Sequence, residues 1–135
     1  MAEIAYIALG SNKGDREHYL AAARAAIAAL NVTRMVAASG IEETEAIGPS
    51  GQGSYLNQML AIETDLDPET LLSELQRIES ENGRQRGVRW GERTLDLDIV
   101  RFGDRHINTD ALVLPHPELP NRDFWQRELA QVMAE

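Results

Sequence analysis

From Ile4 to Phe102 the apolar residues switch between two spacings, and the order of those switches limits the fold most. Ile4–Leu9 is a nearly continuous apolar run of strand length. Gly10-Ser11-Asn12-Lys13-Gly14 breaks it. Asp15 then stands where it can cap an alanine-rich helix reaching about Ala29, with Tyr19, Leu20, Ala23, Ile27 and Leu30 near one stripe. Val32–Ser39 reads as a second strand and Tyr55–Thr64 as a third. Between them Thr44–Gly53, with Gly48, Pro49, Gly51 and Gly53, reads as a mobile loop. Asp67-Pro68 opens a second helix with proline at its first position. Its buried stripe is Leu71, Leu72, Leu75 and Ile78, and Asn82-Gly83 ends it. A second loop, Gly83–Glu92, precedes a fourth strand, Leu95–Phe102.

The order β-α-β-β-α-β is that of the ferredoxin-like motif, an α+β sandwich with helices packed against an antiparallel sheet. Additions follow it. Gly103-Asp104 turns into a short segment around His106–Asn108, Pro115, Pro117 and Pro120 bracket an irregular stretch, and Asp123–Ala134 closes with a helix. There is no internal repeat, low-complexity segment or linker. The 135 residues are expected to form a single domain, 1–135, with one core.

The fourth strand carries the chemistry. In Arg93-Thr94-Leu95-Asp96-Leu97-Asp98-Ile99-Val100 the side chains alternate across the strand. Asp96 and Asp98 therefore point the same way, roughly 6–7 Å apart, while Leu95, Leu97 and Ile99 point into a core. Two parallel carboxylates repel unless a cation lies between them. Hard oxygen ligands favour Mg²⁺, which commonly completes its shell with substrate phosphates. Arg84, Arg86, Arg89 and Arg93 lie in the loop just upstream, where Gly83, Gly87 and Gly91 let the chain swing. Carboxylates for metal beside guanidinium groups for phosphate point to phosphoryl transfer from a nucleotide. The bland alternatives are a solvated strand face and a flexible solvated loop.

Other motifs are weaker alone. Tyr55 and Asn57 share a strand face, so an aromatic plate lies beside an amide that both donates and accepts, which suits a flat heterocycle. An ordinary half-buried strand fits the same residues. His116 sits between Pro115 and Pro117, either as a rigid exposed turn or as a ligand for a nucleotide phosphate or ribose. The Gly10–Gly14 segment lacks the Walker pattern and reads as a turn and helix cap.

Composition narrows the class. Twenty-two acids against 13 bases leave a net charge of −9, which argues against a general binder of nucleic acid or anionic membrane. Only one of those bases is lysine, Lys13. The arginines are the better bidentate phosphate ligands. Cysteine is absent, so no disulfide, thiol nucleophile or Cys-based zinc site is available. No apolar run approaches the roughly 20 residues of a bilayer span, and Met-Ala-Glu-Ile-Ala-Tyr does not read as a signal peptide. A cytoplasmic enzyme is expected.

Leu9-Gly10-Ser11-Asn12, Tyr55-Leu56-Asn57, Gln76-x-x-Glu79, Gly83-Arg84, Arg93-Thr94-Leu95-Asp96-Leu97-Asp98 and Pro115-His116-Pro117 occur in order. Together they resemble the 6-hydroxymethyl-7,8-dihydropterin pyrophosphokinase family of folate biosynthesis, over roughly residues 4–124. The Arg-Thr-Leu-Asp-Leu-Asp string is highly specific. The resemblance implies a monomeric ferredoxin-like enzyme with two Mg²⁺ ions, which moves the β,γ-diphosphate of ATP onto the pterin hydroxymethyl group and releases AMP. It implies that Asp96 and Asp98 hold both ions, that Arg84 and Arg93 engage the phosphates, and that Trp90 seals a lid. Tyr55 and Phe124 would sandwich the pterin, with Asp96 also near it. Asn57 would read its amide edge with backbone groups of Thr44, Glu45 and Ile47. Gln76, Glu79 and Ile99 would lie near the nucleotide, His116 at the ATP phosphates and Arg122 at the phosphate end. Asp98 is the candidate to accept the proton of the substrate hydroxyl. ATP is expected to bind first and to order both loops.

The sequence also departs from that family. After Phe124 the usual Pro-Leu-x-Glu-Ile-Ala-Pro ending is replaced by Trp125–Met133, and the chain reads as a short version. Ala111 replaces a common arginine; Glu45 and Glu92 each replace a common proline. The competing readings are a non-catalytic pterin- or nucleotide-binding relative and a ferredoxin-like interaction module. Retention of Asp96, Asp98, Arg84 and Arg93 favours the enzyme.

Overall fold

The structure, a computed structural model, describes residues 2–45, 54–83 and 94–133. The elements are β1 (Glu3–Ser11), α1 (Arg16–Ala28), β2 (Thr33–Ala38), β3 (Glu42–Thr44), β4 (Tyr55–Thr64), α2 (Pro68–Glu81), β5 (Asp96–Phe102), β6 (Ile107–Asn108), β7 (Val113–Leu114) and α3 (Asp123–Met133). A 3-10 turn, Leu119–Asn121, precedes α3. The main sheet is antiparallel in the order β2-β4-β1-β5, with β3 also on β4. The first and third strands of the motif lie at the centre, which is the ferredoxin-like arrangement expected from the sequence.

Local chemistry explains the helix ends. The Asp15 carboxylate accepts from the His18 N–H, 3.1 Å, and starts α1. Asp67 does the same for the Thr70 N–H, 2.8 Å, with Pro68 at the first position of α2. Gly83, at φ +82°, follows the Asn82 cap in the left-handed conformation that a residue with Cβ adopts at a cost.

The expectation of one core needs correcting. Leu20, Ala23 and Ile27 of α1 and Leu71, Leu75 and Ile78 of α2 pack on one sheet face with Ile7, Leu9, Leu97 and Ile99. Trp125, Leu129 and Val132 of α3 form a second cluster on the other face, with Ala8, Met59, Ala61 and Val100. A sheet whose strands read as apolar runs has two faces to cover, and α3 supplies the second cover.

Two details were not anticipated. Glu42–Thr44 forms the short strand β3, placed alongside β4 beyond β2. Ser39 fills the gap between β2 and β3: its N–H donates to the Met59 carbonyl and its Oγ accepts from the Met59 N–H, both 2.9 Å. In β5 the register against β1 slips between Tyr6 and Ile7, so that Val100 is bulged. The Val100 carbonyl accepts from the His116 N–H, 2.9 Å. Bulges of this kind redirect a neighbouring chain, here the segment that carries His116.

Candidate active site

Residues paired across antiparallel strands share a face. Gly10 pairs with Asn57 on one side and Asp96 on the other; Ala8 pairs with Met59 and Asp98. The two carboxylates and Asn57, with Tyr55 two residues along β4, therefore lie on one sheet face. It is the face that α3 covers farther along. The sequence placed each pair on a face of its own strand; the register shows that the two faces are the same.

Gly10 is the floor between them. A Cβ built there would stand 3.3 Å from Tyr55 Cδ1 and 3.5 Å from Asn57 Oδ1. Glycine lets the phenol ring lie close over β1. Asn57 is buried, and its Nδ2 donates to Thr44 Oγ1, 2.7 Å. That bond orients the amide and ties β4 to β3.

His116 comes to the other end of this face. Its Nδ1 accepts from the Glu118 N–H, 3.0 Å. A neutral imidazole held in this way carries its proton on Nε2. Nε2 stands 3.7 Å from Asp98 Oδ1. Trp125, 2 % exposed, backs the ring edge-on at 4.9 Å between centroids. The Arg122 guanidinium lies 4.4 Å over the same indole. Its Nε is buried without a hydrogen-bond partner among the described residues. Phe124 is half-buried, edge-on to Trp125 at 6.4 Å.

The remaining expected residues are distributed as follows. Asp96 and Asp98 are each half-buried at the start of β5. Glu79 is 2 % exposed, and its Oε2 accepts from the Leu97 N–H, 2.7 Å, so this carboxylate also joins α2 to β5. Gln76 is exposed on α2, and Glu45 is exposed after β3. The Ile99 side chain lies in the α1–α2 core, which leaves only its backbone for a ligand. Ile47, Arg84, Trp90 and Arg93 lie outside the described residues. Among the described residues no three metal-ligating side chains converge. The donor set is the carboxylate pair, which suits Mg²⁺, an ion that draws the rest of its shell from water and phosphate.

Sequence reasoning missed Gly10 and the linking role of Trp125. The signal for Gly10 was a glycine directly after an apolar strand, read as a break. The signal for Trp125 was a large aromatic beside Phe124, noted only as a departure.

The profile of the 7,8-dihydro-6-hydroxymethylpterin-pyrophosphokinase (HPPK) family matches residues 6–134. A 2-amino-4-hydroxy-6-hydroxymethyldihydropteridine pyrophosphokinase from Haemophilus influenzae is 48 % identical over 120 residues, covering 89 % of this chain and 75 % of that protein. The enzyme of the same name from Bacillus subtilis is 47 % identical over 135 residues, 98 % of this chain and 79 % of its own length. That from Pseudomonas aeruginosa is 40 % identical over 132 residues, with 98 % and 82 % covered. A crystal structure of an HPPK-DHPS in complex with substrates superposes with a TM-score of 0.58 at 12 % identity. It covers 99 % of this chain, which spans 32 % of that longer one, and it supports the fold alone. With a profile match across nearly its whole length and relatives at this identity, the chain belongs to the 7,8-dihydro-6-hydroxymethylpterin-pyrophosphokinase family.

Proposed function

We propose that this chain is one pyrophosphokinase domain that transfers the β,γ-diphosphate of ATP to the hydroxymethyl group of 6-hydroxymethyl-7,8-dihydropterin, releasing AMP in folate biosynthesis. The observation that carries this reading is the row Asn57–Gly10–Asp96 across three paired strands. It supports the reading because an amide able to read a heterocycle edge and a carboxylate able to hold a metal share one face, with a glycine between them.

We assign Tyr55 and Phe124 to the two faces of the pterin ring and Asn57, with Thr44, Glu45 and Ile47, to its edge. Asn57 is held by Thr44, so its Oδ1 and second N–H remain for the substrate. We assign Asp96 and Asp98 to two Mg²⁺ ions, which when bound would neutralise phosphate charge and polarise the transferred group. Asp98 is assigned the proton of the attacking hydroxyl. The His116 Nε2–H, beside Asp98, donates to a phosphate oxygen, and Arg122 adds charge at the phosphate end. Arg84, Arg93 and Trp90 close over the nucleotide near Gln76, Glu79 and Ile99. Diphosphoryl transfer is mainly a problem of charge and position, and these residues address both. No described helix is long and apolar enough to cross a membrane. We propose a cytoplasmic monomer that binds neither membrane nor nucleic acid.

The test is AMP release from ATP and Mg²⁺ with and without the pterin, with Asp96→Ala as control. AMP that requires the pterin and disappears in the variant is expected. ATP and pterin binding without AMP would overturn the catalytic reading. Normal turnover by Asp98→Asn with metal bound would remove Asp98 as the proton acceptor.

A further inference from the structure

Helix α3 does more than cover the sheet. Three of its residues reach the corner where β2 passes to β3. Gln131 Oε1 accepts from the Gly40 N–H, 3.0 Å. Arg127 Nη2 donates to Glu42 Oε2, 3.2 Å. Glu128, one residue on and fully buried, lies against Glu42 as well. Both Glu128 oxygens and Glu42 Oε1 are buried and meet no donor among the described residues. Two ionised carboxylates could not satisfy this arrangement, since neither has a hydrogen to give. One proton would: a neutral Glu128 donates its O–H to Glu42 Oε1, while Arg127 neutralises Oε2.

Glu42 is the cross-strand partner of Asn57, and β3 ends at Thr44, whose Oγ1 holds the Asn57 amide. A continuous path therefore runs from α3 through Glu42 and β3 to the amide assigned to the pterin edge. We infer that Glu128, held protonated against Glu42, is a positioning residue that fixes β3, and with it Asn57, for substrate binding. The inference rests on the assignment of Asn57 to the pterin.

The surroundings agree. Burial first, and then the Glu42 carboxyl, push the Glu128 carboxyl up to about 9, with Arg127 opposing. Among the described residues, the other charged or titratable groups on this side of the sheet are Tyr6 on β1, Tyr55 on β4, the Arg34–Glu63 pair joining β2 and β4, Asp96, Asp98 and Arg101 on β5, His116 after β7, and Arg122 and Asp123 at the start of α3. Glu42 and Arg127 are the ones that act on its charge. Above its folded value Glu128 ionises against Glu42, and like charges at close range in a buried site push β3 away from α3.

The experiment measures the KM for the pterin, the KM for ATP and kcat from about pH 6 to about pH 10 in the wild type, Glu128→Gln and Glu128→Leu. In the wild type the pterin KM should rise roughly five- to tenfold through about pH 9, with smaller change in the other two constants. Glu128→Gln, whose amide donates to Glu42 at every pH, should abolish that rise. Glu128→Leu leaves Glu42 Oε1 without a donor and should carry the raised pterin KM at all pH values. A Glu128→Gln profile that rises like the wild type would overturn the proposal. So would equal changes in both substrates' KM values and kcat, the signature of a merely structural residue. If Glu128→Leu does not fold, the comparison with Glu128→Gln still decides. The melting temperature gives an independent reading. A proton held up to about pH 9 when folded but lost near the usual carboxylate range when unfolded makes stability fall as pH rises between the two. The wild type should show that slope and Glu128→Gln should show it less. Failure of the Asn57 assignment is distinguishable: Asn57→Ala would then leave the pterin KM unchanged while the Glu128 pH slope in melting persists.

Discussion

At Gly10 a single missing Cβ decides how near an aromatic ring can come to the strand beside it. Gly10→Ala should push the Tyr55 ring by a few tenths of an ångström and raise the pterin KM roughly tenfold, with little change in the KM for ATP. Steady-state kinetics with each substrate varied in turn would check this. Val32 poses the opposite problem. It is 61 % exposed, β-branched, and held at φ 47° in the turn before β2. Val32→Asn should stabilise the fold by about 0.5–1 kcal/mol, measured by denaturant unfolding, because asparagine tolerates this conformation and no packing is lost. Neither constraint was legible in the chain. Gly10 read as the end of a strand and Val32 as the start of one, since backbone angles and ring approach are set by neighbours far away in sequence.

The elements were more legible than their ends. Tyr55–Thr64 has the expected strand bounds, and Asp67 caps α2 as its side chain and the following proline implied. The Thr70 N–H holds the Asp67 carboxyl below its ordinary value. A depressed carboxylate contributes stability above its unfolded pKa and loses it as pH falls through the folded one. The stability gap between wild type and Asp67→Ala should therefore be constant above about pH 5 and close below about pH 4, followed by thermal melting. β3 was missed because three residues, Glu42–Thr44, carry no usable period; their strand form comes from β4. Helix α3 was expected, but its purpose was not. Trp125 stacks under Arg122 and backs His116. Trp125→Leu should cost about 2–4 kcal/mol in unfolding free energy and raise the KM for ATP. Unaltered ATP kinetics would mean the indole serves packing alone.

Across the whole molecule the sheet separates scaffold from site. The face under α1 and α2 is filled by Leu71, Leu75, Ile78 and their partners, and the face under α3 carries the proposed site at one end. Leu75→Ala should cost about 2–5 kcal/mol and leave both KM values unchanged while the protein remains folded. Leu129→Ala, on the other face, should destabilise and also raise the pterin KM, because α3 also holds β3. The two losses should add in the double variant, since the clusters lie on opposite faces and share no side chain.

What the sequence determined by itself was local or periodic. It set the order of strands and helices, their caps, the alternation that puts Asp96 and Asp98 on one side of β5, and the specific string around them. Those features depend on bonded neighbours and on spacings of two or of three to four residues, which a chain displays before it folds. The tertiary structure decided the rest. Strand register brought Asn57, Gly10 and Asp96 into one row. The bulge at Val100 let the His116 segment dock beside Asp98. The placement of α3 set the fully buried Glu128 against the half-buried Glu42, a contact no single segment could reveal. Each is a contact between residues distant along the chain, fixed by which faces must be covered and which polar groups must find a partner once water is excluded.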